Sequence, residues 1–237
     1  MTSLKPKPIY LLAGGRRGSR TEGDPILETV VKKIGKPAPS VAYVGAANGD
    51  SPDFFKWMTS YLQMAGAGEV RLAPMAGKGA DLEEARHVLN TADSVFISGG
   101  DVEAGMRQLE EKNLNSVFGS LYRRGVLFFG SSAGSIMLAK CWIRWRDPAD
   151  DLTAEIFPCM GLADVVCDTH GEAEGWEELH CFLKLTGTDR VGYGIPTGLA
   201  LCIHPDGSVE AIGGAVNRFV WREGKIHPLP DLLPSPL

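Results

Sequence analysis

The segment Gly130-Ser131-Ser132-Ala133-Gly134 sets a serine hydroxyl among small residues. An apolar run over 126–129 precedes it, and a helix-forming run over 135–140 follows. Strand, Gly-x-Ser-x-Gly and helix in that order form a strained turn that holds the central hydroxyl exposed at a helix N-terminus. Backbone N–H groups and the helix dipole there favour a developing oxyanion. The chemistry offered is attack by Ser132 on a carbonyl carbon. The same small residues would also suit a turn that merely packs a helix tightly on its strand.

A serine nucleophile requires a base, an orienting acid and donors for the oxyanion. The backbone N–H of Ala133 supplies one donor. A second is expected from Gly99-Gly100, where backbone without side chains can approach a substrate carbonyl, with Asp101 beside it. Among the five histidines, His87 and His180 fall in helical runs and His227 lies near the C-terminus. His204 precedes the turn Pro205-Asp206-Gly207 and reads as structural. His170 ends the run 165–169 and opens a Gly- and Glu-containing loop, where a strand-end base belongs.

The elements that must position these groups alternate. Strands are expected over 9–13, 41–45, 69–72, 94–98 and 126–129, with helices over 26–34, 52–65, 81–89 and 102–112. Continuous apolar strands separated by helices predict a doubly wound, mostly parallel α/β sheet with helices on both faces. Beyond about residue 163 the pattern changes. The runs 199–203 and 208–212 flank a turn and predict an antiparallel extension, and a last strand over 218–221 is expected to complete that sheet. No repeat or linker divides the chain, so one domain over 1–237 is expected, with an ordered core over 8–228.

At 237 residues and 44% hydrophobic content the chain can bury a full core. Its net charge of −5 argues against a nucleic-acid partner. No apolar stretch is long enough for a membrane span. The first residues lack the apolar core of a signal peptide, and five scattered cysteines read as reduced thiols, so a cytoplasmic protein is expected. Neither a phosphate-binding loop signature nor a metal-ligand pattern is present, and neither cofactor nor metal is expected.

The elbow, Ile97-Ser98-Gly99-Gly100-Asp101, Gly161-Leu162 ahead of His170, and Gly194-Ile195-Pro196 occur in an order that resembles the dipeptidase E / cyanophycinase family of serine peptidases. The resemblance runs from about residue 9 to 214 and implies a fold similar to class I glutamine amidotransferases. It implies Ser132 as nucleophile, His170 as base, and the amides of Gly100 and Ala133 as oxyanion donors. It also implies hydrolysis of small peptides, with no cofactor. A dimer would suit the fold.

Two departures stand out. The family's Gly-Leu-Pro-Glu segment carries the third triad member, whereas here it reads Gly194-Ile195-Pro196-Thr197. Class I amidotransferases place the orienting glutamate two residues after the histidine, and Glu172 has that spacing. Asp168, Glu174, Asp147 and Asp150 are weaker candidates. The second departure is in the stretch 171–179, which is acidic and holds no arginine where aspartyl dipeptidase uses one to grip an N-terminal aspartate. Asp-x substrates are therefore not expected. A basic or neutral residue near the scissile amide is, with Glu174 and Trp176 lining the site and Trp176 as an apolar or cation–π wall. Arg16, Arg17 and Arg20 could instead supply an anion pocket. Rival readings are a binding protein that lost its acid, a cyanophycinase-like hydrolase of β-Asp-Arg units, and an esterase.

Overall fold

The computed structural model describes residues 5–15, 23–77, 79–147 and 149–234. Five parallel strands form its centre: β1 (Ile9–Leu12), β2 (Val41–Val44), β3 (Val70–Leu72), β4 (Ser94–Ile97) and β5 (Leu127–Ser131). Every residue of β1, β2 and β4 is buried, as expected of strands covered on both faces. The helices are α1 (Pro25–Lys33), α2 (Pro52–Met64), α3 (Leu82–Thr91), α4 (Val102–Glu111), α5 (Asn115–Arg123) and α6 (Ala133–Leu138). Alternate strand residues point to two cores. Tyr10, Leu12, Tyr43, Phe96 and Phe129 pack with α1 and α2. Ile9, Leu11, Val44, Ile97 and Phe128 pack with α3 to α6.

Helix starts are written in the sequence. Asp24 accepts from the N–H groups of Ile26 and Leu27 with Pro25 next to it, and Ser51 precedes Pro52 in the same way. Asp81 and Asp101 cap α3 and α4. Helix α5 is an element that the sequence reading did not anticipate.

The chain then forms a hairpin, β6 (Cys141–Trp145) and β7 (Ala154–Pro158), which the sequence reading also missed. It continues through β8 (Val166–Thr169), α7 (Glu177–Thr186), β9 (Gly192–Ile195), β10 (Ala200–Ile203), β11 (Val209–Ile212), β12 (Val216–Arg222) and β13 (Lys225–Leu232). The seven-stranded sheet has the order β11-β10-β1-β5-β4-β2-β3, with β10 and β11 antiparallel as expected.

One expectation fails. The strand at 218–221 does not complete this sheet. As β12 it joins a second sheet of order β13-β12-β9-β8, pairing Asn217 with Gly194 and Phe219 with Gly192. Gly213, at φ 84°, turns the chain after β11, and β12 pairs with β9 while β11 stays at the edge of the first sheet. Strand β13 carries Pro228 and Pro230, which an edge strand tolerates because one side needs no donors. Helix α7 covers this sheet through Leu179, Phe182 and Leu183.

Candidate active site

Ser132 sits between β5 and α6 with φ 53° and ψ −124°, a conformation that an L-residue adopts at a cost of about 1–3 kcal/mol. The surroundings fix it there. Its N–H donates to Leu12 O at 2.9 Å, and its carbonyl accepts from Ser135 N at 2.8 Å. A Cβ on Gly134 would overlap the carbonyl oxygen of Ile97, and one on Gly130 would stand 2.5 Å from the Gly134 carbonyl. The small residues of the motif are therefore the condition for bringing α6 onto β4 and β5.

His170 follows β8, which is held in the second sheet by pairing with β9. Its own N–H donates to Ile195 O at 3.0 Å, and its φ of 47° turns the side chain out of the strand direction. The Ser132 Oγ and His170 Nε2 are 2.7 Å apart. Thus the nucleophile candidate comes from one sheet and the base candidate from another. That distance suits proton transfer from hydroxyl to imidazole.

The candidate oxyanion side is equally specific. Gly99 lies beside the serine: a Cβ there would be 3.3 Å from Ser132 Cβ. The Gly99 carbonyl accepts from Asn48 Nδ2 at 2.9 Å, and Asn48 is itself seated against Tyr43 and Ser98. Because C=O and N–H point opposite ways across a planar trans peptide, this bond directs the Gly100 N–H away from Asn48. Among the described residues, neither the Gly100 nor the Ala133 N–H donates to a protein acceptor. Asn48 was not picked out from the sequence, although its glycine-flanked turn at the end of β2 was a visible signal.

The acid candidates are placed differently from expectation. Among the described residues, no carboxylate oxygen lies within 4.0 Å of a His170 ring nitrogen. Glu172 Oε1 instead accepts from Thr197 N at 3.0 Å. Partial burial pulls its carboxyl upward, but hydrogen bonds from Thr197 and the field of His170 hold it below the usual range. Asp168 is buried, and burial reinforced by the charge of Glu178 pushes it up to about 7. Glu178 is also raised by burial, while Trp142 Nε1 donates to it at 2.6 Å. Asp147 and Asp150 accept turn hydrogen bonds in the β6–β7 loop and line neither cavity at the serine.

Two cavities meet at Gly100, Ser132 and His170. One, of about 520 Å³, is apolar and carries Ile26, Phe54, Trp57, Met58 and Tyr61. The other, of about 460 Å³, carries the carboxylates of Asp101, Asp168, Glu174, Glu177 and Glu178. Asp101 doubles as the cap of α4, accepting from Ala104 N at 2.7 Å. Trp176 is a correction. It takes a left-handed conformation, lies 5% exposed in the core under α7, and lines neither arm. The aromatic walls come from Trp142 on the acidic side and Trp57 on the apolar side. Arg16, Arg17 and Arg20 lie outside the described residues.

The described residues include no helix long and apolar enough to cross a membrane. No curated protein sequence matches this chain. Solved structures that share its fold include two peptidases. A peptidase from an acI-B1 Actinobacterium is 17% identical, with a TM-score of 0.72 over 99% of this chain and 97% of its own. A putative peptidase E protein from Listeria monocytogenes EGD-e is 14% identical, with a TM-score of 0.59 over 87% of this chain and 98% of its own. The model of peptidase family S51 matches residues 9–211, almost the whole stretch over which the sequence motifs had suggested the dipeptidase E / cyanophycinase group, and the chain belongs to that family.

Proposed function

We propose that the chain is a serine-type peptidase or amidase acting on short peptides, with Ser132 as nucleophile and His170 as base. The observation that carries this reading is the 2.7 Å contact between Ser132 Oγ and His170 Nε2 at a strained elbow. Ser132 Oγ attacks the scissile carbonyl while His170 Nε2 takes its proton, and the tetrahedral oxyanion faces the Gly100 and Ala133 amides. His170 then gives the proton to the leaving amine, and water repeats the sequence on the acyl-enzyme. Glu172 and Glu178 act on the imidazolium through their field, as neither touches it.

The two arms suggest the substrate. A peptide whose scissile amide lies over Ser132 would place a cationic group, an α-ammonium or a basic side chain, among the carboxylates. Its other side would meet the apolar wall. This favours substrates other than Asp-x, since a side-chain carboxylate would be repelled from the acidic arm.

A second reading, a non-catalytic binding homologue, draws on the lack of a carboxylate touching His170. Labelling with a fluorophosphonate probe and peptide mapping separate the two. Rapid modification at Ser132, lost in Ser132→Ala, is the result expected of an activated serine. No labelling of folded protein would overturn the peptidase reading.

A further inference from the structure

Outside both cavities at the elbow, strand β10 carries Cys202 and is followed directly by His204, so Cys202 and His204 share one face of the extended chain. The register of the hairpin sets Glu210 of β11 directly opposite Cys202. The three side chains converge. His204 Nε2 lies 3.6 Å from Cys202 Sγ and 3.3 Å from Glu210 Oε1, and the three ligand atoms all lie within 4.8 Å of one another. Among the described residues this is the one such cluster of metal-ligating types.

From these distances we propose that Cys202, His204 and Glu210 form a zinc site that clamps the hairpin at the edge of the main sheet. Ligand atoms held about 2.0–2.3 Å from a tetrahedral zinc ion are separated by roughly 3.3–3.6 Å, and the two edges through His204 already have those lengths. A rotation of the exposed Glu210 carboxylate closes the third. Thiolate and carboxylate together carry two negative charges, matching a divalent cation beside a neutral imidazole. The ligand chemistry, one soft sulfur with imidazole and carboxylate, favours zinc over magnesium or calcium.

The surroundings fit a built site. His204 is positioned by its N–H bond to Ser208 O at 2.9 Å and by the tight turn to Gly207. Tyr10, buried and paired with Cys202 across β1 and β10, lines the same cavity and would orient the sulfur from outside the ligand set. Cys202 is buried, but His204 and Glu210 are 30% and 50% exposed, and a cavity of about 830 Å³ opens beside them. An ion can enter there, and water can complete the fourth position. Binding forms Zn–S, Zn–N and Zn–O bonds and releases the thiol proton to solvent, with no change of oxidation state. None of the three ligands lines either cavity at Ser132, so the site would brace the fold and leave the reacting atoms untouched.

The test uses the full chain, reduced and freed of metal by a chelator that is then removed. Titration with Co²⁺ is expected to give a thiolate charge-transfer band and four-coordinate visible bands, saturating at one ion per chain. Calorimetry with Zn²⁺ should show the same stoichiometry and a raised midpoint of thermal unfolding. Cys202→Ser should remove the charge-transfer band and weaken Zn²⁺ by more than about 100-fold, beyond the loss expected for an outer partner alone. Glu210→Gln, at an exposed edge position, provides a folded variant and should retain the band while weakening Zn²⁺ by more than about 100-fold, since a direct ligand loses its charge. Ser132→Ala/His170→Ala should bind as the unaltered chain does, which separates this site from any ion captured at the elbow. Absence of the band, or Zn²⁺ affinity unchanged in both Cys202→Ser and Glu210→Gln, would mean that the three side chains form only a hydrogen-bonded cluster.

Discussion

The carboxylate of Glu172 accepts the backbone N–H of Thr197 at 3.0 Å, so the glutamate two residues after His170 meets the residue that stands in the family's acid position, and among the described residues no carboxylate touches His170. This bond ties the loop after β8 to the loop after β9. Glu172 thereby acts on His170 by position and by charge across a gap. Gln can accept the same N–H, while Ala cannot. We expect Glu172→Gln to lower kcat/KM by about 10-fold, far below the roughly 10⁴-fold cost of removing an acid that touches its histidine. Glu172→Ala should lose more, because the loop anchor goes as well. Steady-state kinetics on the two variants check this. A 10⁴-fold loss in Glu172→Gln would instead make the glutamate a direct partner of His170 during turnover.

Asp168 gives the protein a predictable response to pH. Burial, aided by Glu178, raises its carboxyl to about 7. An unfolded aspartate ionises near pH ~3.9. Between those values the folded chain keeps a proton that the unfolded chain has released, so stability falls as pH rises through this window and levels off above about 7. At ~1.36 kcal/mol per unit the full cost is at most about 4 kcal/mol. Asp168→Asn should remove this slope and be more stable than the parent at pH ~8. Urea midpoints at pH ~5 and ~8 for both proteins measure it.

The glycines of the elbow make a sharper structural claim. A Cβ on Gly134 would overlap Ile97 O, and one on Gly100 would overlap Ala47 O, in each case rigid backbone. Gly175, also at positive φ, has no atom within 4 Å of the added carbon. Ala at Gly175 should therefore cost only the backbone strain, about 1 kcal/mol. Ala at Gly134 should cost about 3 kcal/mol or more, as overpacking of a closed helix–strand contact does. Gly100→Ala should lose activity beyond its loss of stability, since it displaces the proposed oxyanion donor. Thermal unfolding paired with probe labelling separates these effects.

The sequence made some of this legible and hid the rest for physical reasons. Ser132 could be read because its turn, its small neighbours and its flanking strand and helix are consecutive. His170 could be read because it closes an apolar run. The Glu172–Thr197 bond could not be read, as it depends on the register of β8 against β9. Local pattern also cannot say which sheet a strand joins, so β12 was expected beside the hairpin and instead pairs with β9. Trp176 has the composition of a rim residue, but its left-handed backbone turns the ring onto Gly194, where a Cβ would stand 2.6 Å from the indole. Asn48 was overlooked because its role lies in the direction of one peptide plane.

The two arms at Ser132 yield the most direct prediction about substrate. Glu178 lies in the acidic arm and keeps its bond from Trp142 if replaced by Gln, so Glu178→Gln changes charge with little change of shape. For peptides with an ammonium in that arm, KM should rise about 10-fold, equivalent to ~1.4 kcal/mol, with a smaller change in kcat. For substrates capped to remove the charge, KM should hardly move. Trp57 is 47% exposed at the apolar arm, so its truncation removes binding surface without opening the core. Trp57→Ala should weaken peptides with a large apolar side chain by about 10-fold while sparing small ones. A dipeptide panel assayed on both variants reads charge and apolar size separately. If Asp-x peptides proved the best substrates of the parent, or if Glu178→Gln affected charged and capped peptides alike, the cation-binding role of the acidic arm would be wrong.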